Sequence, residues 1–134
     1  MPDTAPLTRT FYALIPATAQ GADFEAVVCV APWAGVVSEA TYIADTDITG
    51  ADTNSRTVQI INHGTDGAGT TVAAEKAFTA TKNATAFDEV ALTLSGTAAN
   101  LAVAEGAVLT FKSLHVGTGL ADPGGTVKLV LSRS

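Results

Sequence analysis

The residues best equipped for chemistry in this chain are few, and each can be judged on spacing. The densest acidic run is Asp45-Thr-Asp47-Ile-Thr-Gly50-Ala-Asp52. Acids at its first and third positions and glycine at its sixth match the opening of a calcium-binding loop. The twelfth position is Arg56, where such a loop needs a bidentate glutamate. The run is therefore expected to be a turn whose carboxylates cap local backbone N–H groups, with no metal bound.

The two histidines, His63 and His115, each fall at or near the end of a predicted strand, and the chain has no HxH or HExxH spacing. A zinc site would need further ligands brought in by the fold, so solvated or edge histidines are expected. No serine lies in a Gly-x-Ser-x-Gly turn, which removes the usual nucleophile signature. Gly64-Thr-Asp-Gly67-Ala-Gly69 is glycine-rich but lacks the Gly-Lys-Ser/Thr of a phosphate-binding loop, and reads as a hairpin or sheet-crossing loop. Cys29 is the single cysteine and sits among Val27, Val28 and Val30. It reads as an inert buried thiol, because a reactive one wants an electropositive, partly exposed setting. No catalytic constellation is legible, so a non-enzymatic protein without a cofactor is expected.

Composition narrows the classes further. Seven Lys and Arg are scattered along a chain of net charge −6. Nucleic-acid binders concentrate positive charge, because phosphate contacts carry most of their affinity, so a nucleic-acid partner is not expected. No apolar run approaches the ~20 residues of a membrane helix, and MPDTAPLTRT lacks the apolar stretch of a secretory signal. No membrane partner is expected either. Charged residues are only 15% of the chain, too few for helical surfaces, while Thr suits the outward positions of a pleated sheet.

The elements that would position these residues are strands. Residues 1–7 carry Pro2 and Pro6, show no periodicity, and read as an extended N-terminal arm, with Leu7 at its end. Residues 8–134 read as one β-sandwich domain. Eight strands are predicted: 8–15, 24–30, 35–43, 56–63, 71–79, 89–95, 108–116 and 126–132. Val90, Leu92 and Leu94 share one face, as do Val127, Leu129 and Leu131. Between the strands lie Thr-Asp-Gly-Ala-Gly, Glu-Gly, Gly-Thr-Gly and Asp-Pro-Gly-Gly, all turn-forming. Residues 71–79 could also make two helical turns, and 98–104 a short helix. Eight strands in a chain of this length fit a jelly roll of two four-stranded sheets. Trp33, in Ala-Pro-Trp-Ala, is the one large aromatic in a predicted turn. It suits either a lid on the core or a contact with a partner. Together with Pro2, Pro6 and Leu7 it forms the set of candidate partner-contact residues.

The stretch from Thr81 to Leu131 contains Leu92-Thr-Leu-Ser-Gly96-Thr-Ala-Ala-Asn, Val103-Ala-Glu-Gly106-Ala-Val-Leu and His115-Val-Gly-Thr-Gly119-Leu-Ala-Asp-Pro-Gly-Gly-Thr-Val127. It resembles the capsid decoration (cement or head-fibre) proteins of tailed bacteriophages, as does Ile48-Thr-Gly-Ala-Asp-Thr-Asn-Ser-Arg-Thr-Val58. The resemblance implies a homotrimer, made in the bacterial cytoplasm, that binds the phage major capsid protein on the virion exterior. A tail or baseplate-associated virion protein and a carbohydrate-binding sandwich module are the alternatives.

Overall fold

The computed structural model describes residues 7–134. Pro2 and Pro6 of the expected arm lie outside the described residues. The first strands begin and end where breakers dictate. Strand β1 (Thr8–Ile15) stops at Pro16, and β2 (Phe24–Val30) stops short of Pro32. They are followed by β3 (Gly35–Ala44), β4 (Ser55–Asn62) and β5 (Thr71–Ala77). Residues 71–77 are thus strand and not helix. Pairing of Thr57, Gln59 and Ile60 with Ala77, Glu75 and Ala74 fixes them in the sheet.

The sixth predicted strand is divided in two. Its first part, β6 (Glu89–Ala91), pairs with β3, and its second, β7 (Thr93–Leu94), pairs with β5 in the other sheet. Leu92 is the crossing point. Its N–H donates to the Ala40 carbonyl on one side, and three residues on Ser95 N–H donates to the Ala73 carbonyl on the other. Next come a single helical turn, α1 (Ala98–Leu101), the two-residue β8 (Ala102–Val103), and the long strands β9 (Val108–Val116) and β10 (Gly125–Arg133). Ten strands therefore stand among the described residues, in place of the eight predicted.

Two antiparallel sheets make a β-sandwich. One has the order β1-β10-β3-β6, with β8 also on β3; the other has the order β2-β9-β4-β5-β7. Each sheet is five-stranded, against the four expected. The core lies between them. Val127, Leu129 and Leu131 of β10 and Val37 and Tyr42 of β3 meet Val58 and Ile60 of β4 and Leu109 and Phe111 of β9, all essentially without solvent exposure. Each such side chain contributes about 1.5–3 kcal/mol of burial. Tyr42 and Phe111, one from each sheet, stack with ring centroids 5.2 Å apart. Bulges interrupt three ladders, between Val27 and Cys29 in β2, between Ile60 and Ile61 against β5, and between Val130 and Leu131 against β3. The β1–β10 ladder runs unbroken over all eight residues of β1.

Candidate functional site

Four groups of polar or displayed side chains stand out, and each is set by the strand that carries it. The first is internal. Alternation along β4 puts Arg56 on the same face as Val58 and Ile60, so its side chain enters the core. The guanidinium donates four hydrogen bonds there. Nε donates to the Leu120 carbonyl at 2.6 Å. One terminal nitrogen donates to Ser113 Oγ at 3.0 Å, and the other to the Ala19 and Ala22 carbonyls at 3.2 and 2.9 Å. Ser113 Oγ in turn donates to Asp122 Oδ2 at 2.8 Å. The other oxygen of Asp122 accepts from Tyr42 OH at 2.6 Å and from Gly124 N–H at 2.9 Å. Burial, and then the Asp122 charge, push the Tyr42 hydroxyl far above its ordinary ionisation range. The network joins groups from both sheets and from the 18–22 and 120–124 loops and ties them together inside the protein.

The second group lies where β2 begins. Asp23 accepts from the backbone N–H of His115 at 2.9 Å and faces its Nδ1 at 2.6 Å. The backbone bond, followed by the ring, holds the Asp23 carboxyl below the usual range. Two residues on, Glu25 Oε2 takes a hydrogen bond from Thr110 Oγ1 at 2.6 Å and faces His63 Nε2 at 2.7 Å. Burial pushes the Glu25 carboxyl up, but the bonds from Thr110 and His63 outweigh it and leave it lowered. His63 Nδ1 lies 2.8 Å from the Gly69 carbonyl, which can only accept, so the ring donates there. Both histidines, expected as solvated or edge side chains, are partly exposed and engaged with carboxylates. Glu25, His63 and Thr110 include the residue types of a hydrolytic relay but not its order. Hydroxyl and carboxylate both meet the same ring nitrogen, and the hydroxyl donates to the acid. The cluster fastens edge strand β2 to β9 and to the 63–69 loop.

The third group is the acidic run. Asp47 Oδ1 accepts from Ala86 N–H at 2.7 Å, and Asn83 Oδ1 accepts from Gly50 N–H at 2.8 Å. A backbone bridge joins Ile48 and Ala84. The Asp47 cap therefore reaches across to the 79–88 loop, not to its own turn as expected. Among the described residues no three His, Cys, Asp or Glu side chains gather in a metal-binding group.

What the two loops fix between them is Phe87, the fourth feature. Its backbone is left-handed, with φ of 63°, and its ring is 79% exposed. Its N–H donates to the Ala44 carbonyl at 2.9 Å, at the end of β3. A non-glycine residue held in this region stores about 1 kcal/mol or more of strain, and this one carries an exposed aromatic ring. Nothing in Thr-Ala-Phe-Asp announces it, because left-handed positions ordinarily take Gly, Asn or Asp. Tyr12 and Leu14 of β1, 64% and 84% exposed, stand on the outer face of the same sheet.

Of the candidate contact residues, Leu7 is half exposed, and its carbonyl accepts from Arg133 N–H at 2.8 Å. Trp33 is partly buried against the core, beside Gly35. Cys29 is buried, and burial pushes its thiol up to about 11. An open groove of about 500 Å³ runs beside β7, lined in part by Val72, Leu94 and Asn100.

No family model matches the chain, and no curated protein matches it. Among solved structures it is similar to a chain in the structure of infectious bursal disease virus Gx strain, with a TM-score of 0.42 and 10% identity. That similarity covers 94% of this chain and 32% of the other, so the chain spans about a third of that neighbour's length.

Proposed function

We propose that this chain is a non-enzymatic structural protein of a tailed-phage virion that binds the outer surface of the capsid, against the major capsid protein, and stabilises the shell. Its two sheets are read here as a jelly roll. The strand orders β1-β10-β3-β6 and β2-β9-β4-β5 support this, because first and last strands pair in one sheet and second and penultimate in the other. The resemblance of residues 81–131 to decoration proteins supports the role.

The observation that carries the reading is Phe87. An exposed aromatic with only two side-chain torsions projects from a loop tied down by Asp47 and Ala44. Such a side chain loses little conformational freedom on docking, and large aromatics dominate interface energies. Asp88 and Glu89 follow it directly and Asp47 caps the residue before it, so the ring stands at an acidic rim, an apolar anchor bordered by charge as at interface edges. Co-sedimentation with undecorated phage particles tests the reading. The wild-type protein should pellet with the particles and raise their disruption temperature, and Phe87→Ala should do so only at much higher concentration. Failure of the wild-type protein to bind particles from its own phage would overturn it.

A further inference from the structure

We infer that the free edge of β1 is a self-association surface that pairs with β1 of a second copy about a twofold axis, joining two sandwiches through one continuous sheet. Edge strands present unpaired N–H and C=O groups, and soluble proteins blunt them with bulges, prolines, charges or short length. The other edges here are blunted. β2 is bulged between Val27 and Cys29, β6 has three residues, and β7 and β8 have two each. β1 has eight residues, no bulge and no internal proline.

The ladder shows which groups are free. Arg133 N–H donates to the Leu7 carbonyl, so Leu7, Arg9, Phe11, Ala13 and Ile15 address β10. Thr8, Thr10, Tyr12 and Leu14 then turn their main-chain groups outward, and none of these has a backbone partner among the described residues. Antiparallel pairing centred on Phe11 sets Thr8 against Leu14 and Thr10 against Tyr12 of the other copy. All four free residues are used, with about eight N–H···O bonds formed. The same register stacks Thr10 on Tyr12 on the outer face and Phe11 on Phe11 toward the cores, pairings that favour strand association.

The partner is a second copy because the edge is self-complementary in hydrogen bonding, register and side-chain face, as a twofold contact requires. Charge agrees. The chain carries net −6, yet the only charged residue in β1 is Arg9, which opposes Ala13 in this register. The acid-to-acid repulsion that most faces would meet is therefore absent. The contact is separate from Phe87 and does not depend on capsid binding. It gives twofold assembly, where the resemblance implies threefold.

Sedimentation of the full chain from about 1 µM to about 1 mM reads the assembly. Wild-type protein should shift from one to two chain masses. Thr10→Pro deletes an outward N–H and no bond to β10. The double variant Tyr12→Lys with Leu14→Lys alters only exposed side chains. Each should weaken the dimer at least tenfold while the monomer keeps its melting temperature. Amide exchange at Thr10 and Tyr12 should slow as the dimer forms. A chain that stays monomeric throughout, one that forms a trimer, or a dimer that survives both changes would overturn the inference.

Discussion

Arg56 and Asp122, both fully buried, are linked through one hydroxyl. Ser113 Oγ accepts from the guanidinium at 3.0 Å and donates to the carboxylate at 2.8 Å. Opposite charges so placed stabilise the fold only while both are present, because either alone is an uncompensated charge in a low-dielectric interior. Arg56→Met should therefore lower unfolding free energy by about 3–5 kcal/mol in urea titrations. Tyr42→Phe, which removes one bond to the same carboxylate, should lower it by about 1.5–3 kcal/mol. Losses under about 1 kcal/mol for Arg56→Met would show that the network does not hold the two sheets.

The two carboxylates at the start of β2 make stability depend on acid. Asp23 is lowered by the His115 backbone N–H and then its ring; Glu25 is raised by burial but lowered overall by Thr110 and His63. In both cases the unfolded chain takes up protons at a higher pH than the folded one. Their stabilisation is thus complete above the ordinary carboxylate range, near pH ~4, and is lost as pH falls through the depressed folded values. The double variant Asp23→Asn with Glu25→Gln should melt below wild type at pH ~6, and the gap should close as pH falls through the depressed folded values. A gap that stays constant across that range would rule out the linkage.

These features were unevenly legible in the sequence. The ends of β1, β2 and β9 follow from Pro16, Pro32 and Gly117, and the alternation of Val127, Leu129 and Leu131 gave the core face of β10. The burial of Arg56 was also accessible, since period two from Val58 and Ile60 places it inward. Its charge argues the other way, since arginine is almost never fully buried unless paired. Asp122 sits in an Asp-Pro-Gly-Gly turn, and turn chemistry alone hides that its backbone bridges Thr18 and its carboxylate points inside. The split at Leu92 was not accessible. The inward alternation of Val90, Leu92 and Leu94 reads the same whether the chain stays in one sheet or crosses to the other.

The contact between the two loops depends on Gly50. A Cβ there would run into the carbonyl groups of Thr79 and Lys82, which are backbone and cannot swing aside. Gly96, by contrast, has open space where a Cβ would stand. Gly50→Ala should cost about 1–3 kcal/mol, as overpacking does. Gly96→Ala should be within about 0.5 kcal/mol of neutral, as for a surface change. Equal effects of the two in chemical denaturation would mean that the 45–52 and 79–88 loops are not packed together.

Phe87 sets stability against binding, and the two can be separated. Its left-handed backbone strains a bulky residue, while its ring, 79% exposed, contributes little to the core. Asparagine occupies this region far more readily than phenylalanine. Phe87→Asn keeps the N–H that bonds the Ala44 carbonyl and leaves the Asp47 cap on Ala86 untouched. It should therefore raise unfolding free energy by about 0.5–1 kcal/mol, the size of relief expected at one strained position. The same change removes the displayed ring and should weaken attachment to undecorated particles by tenfold or more. Phe87→Tyr provides the control, since it keeps both the strain and the aromatic surface and should bind like wild type. If Phe87→Asn destabilises the protein, the ring has a structural role and the display argument fails. If it stabilises the protein and binds particles as well as wild type, the strained aromatic does not make the capsid contact.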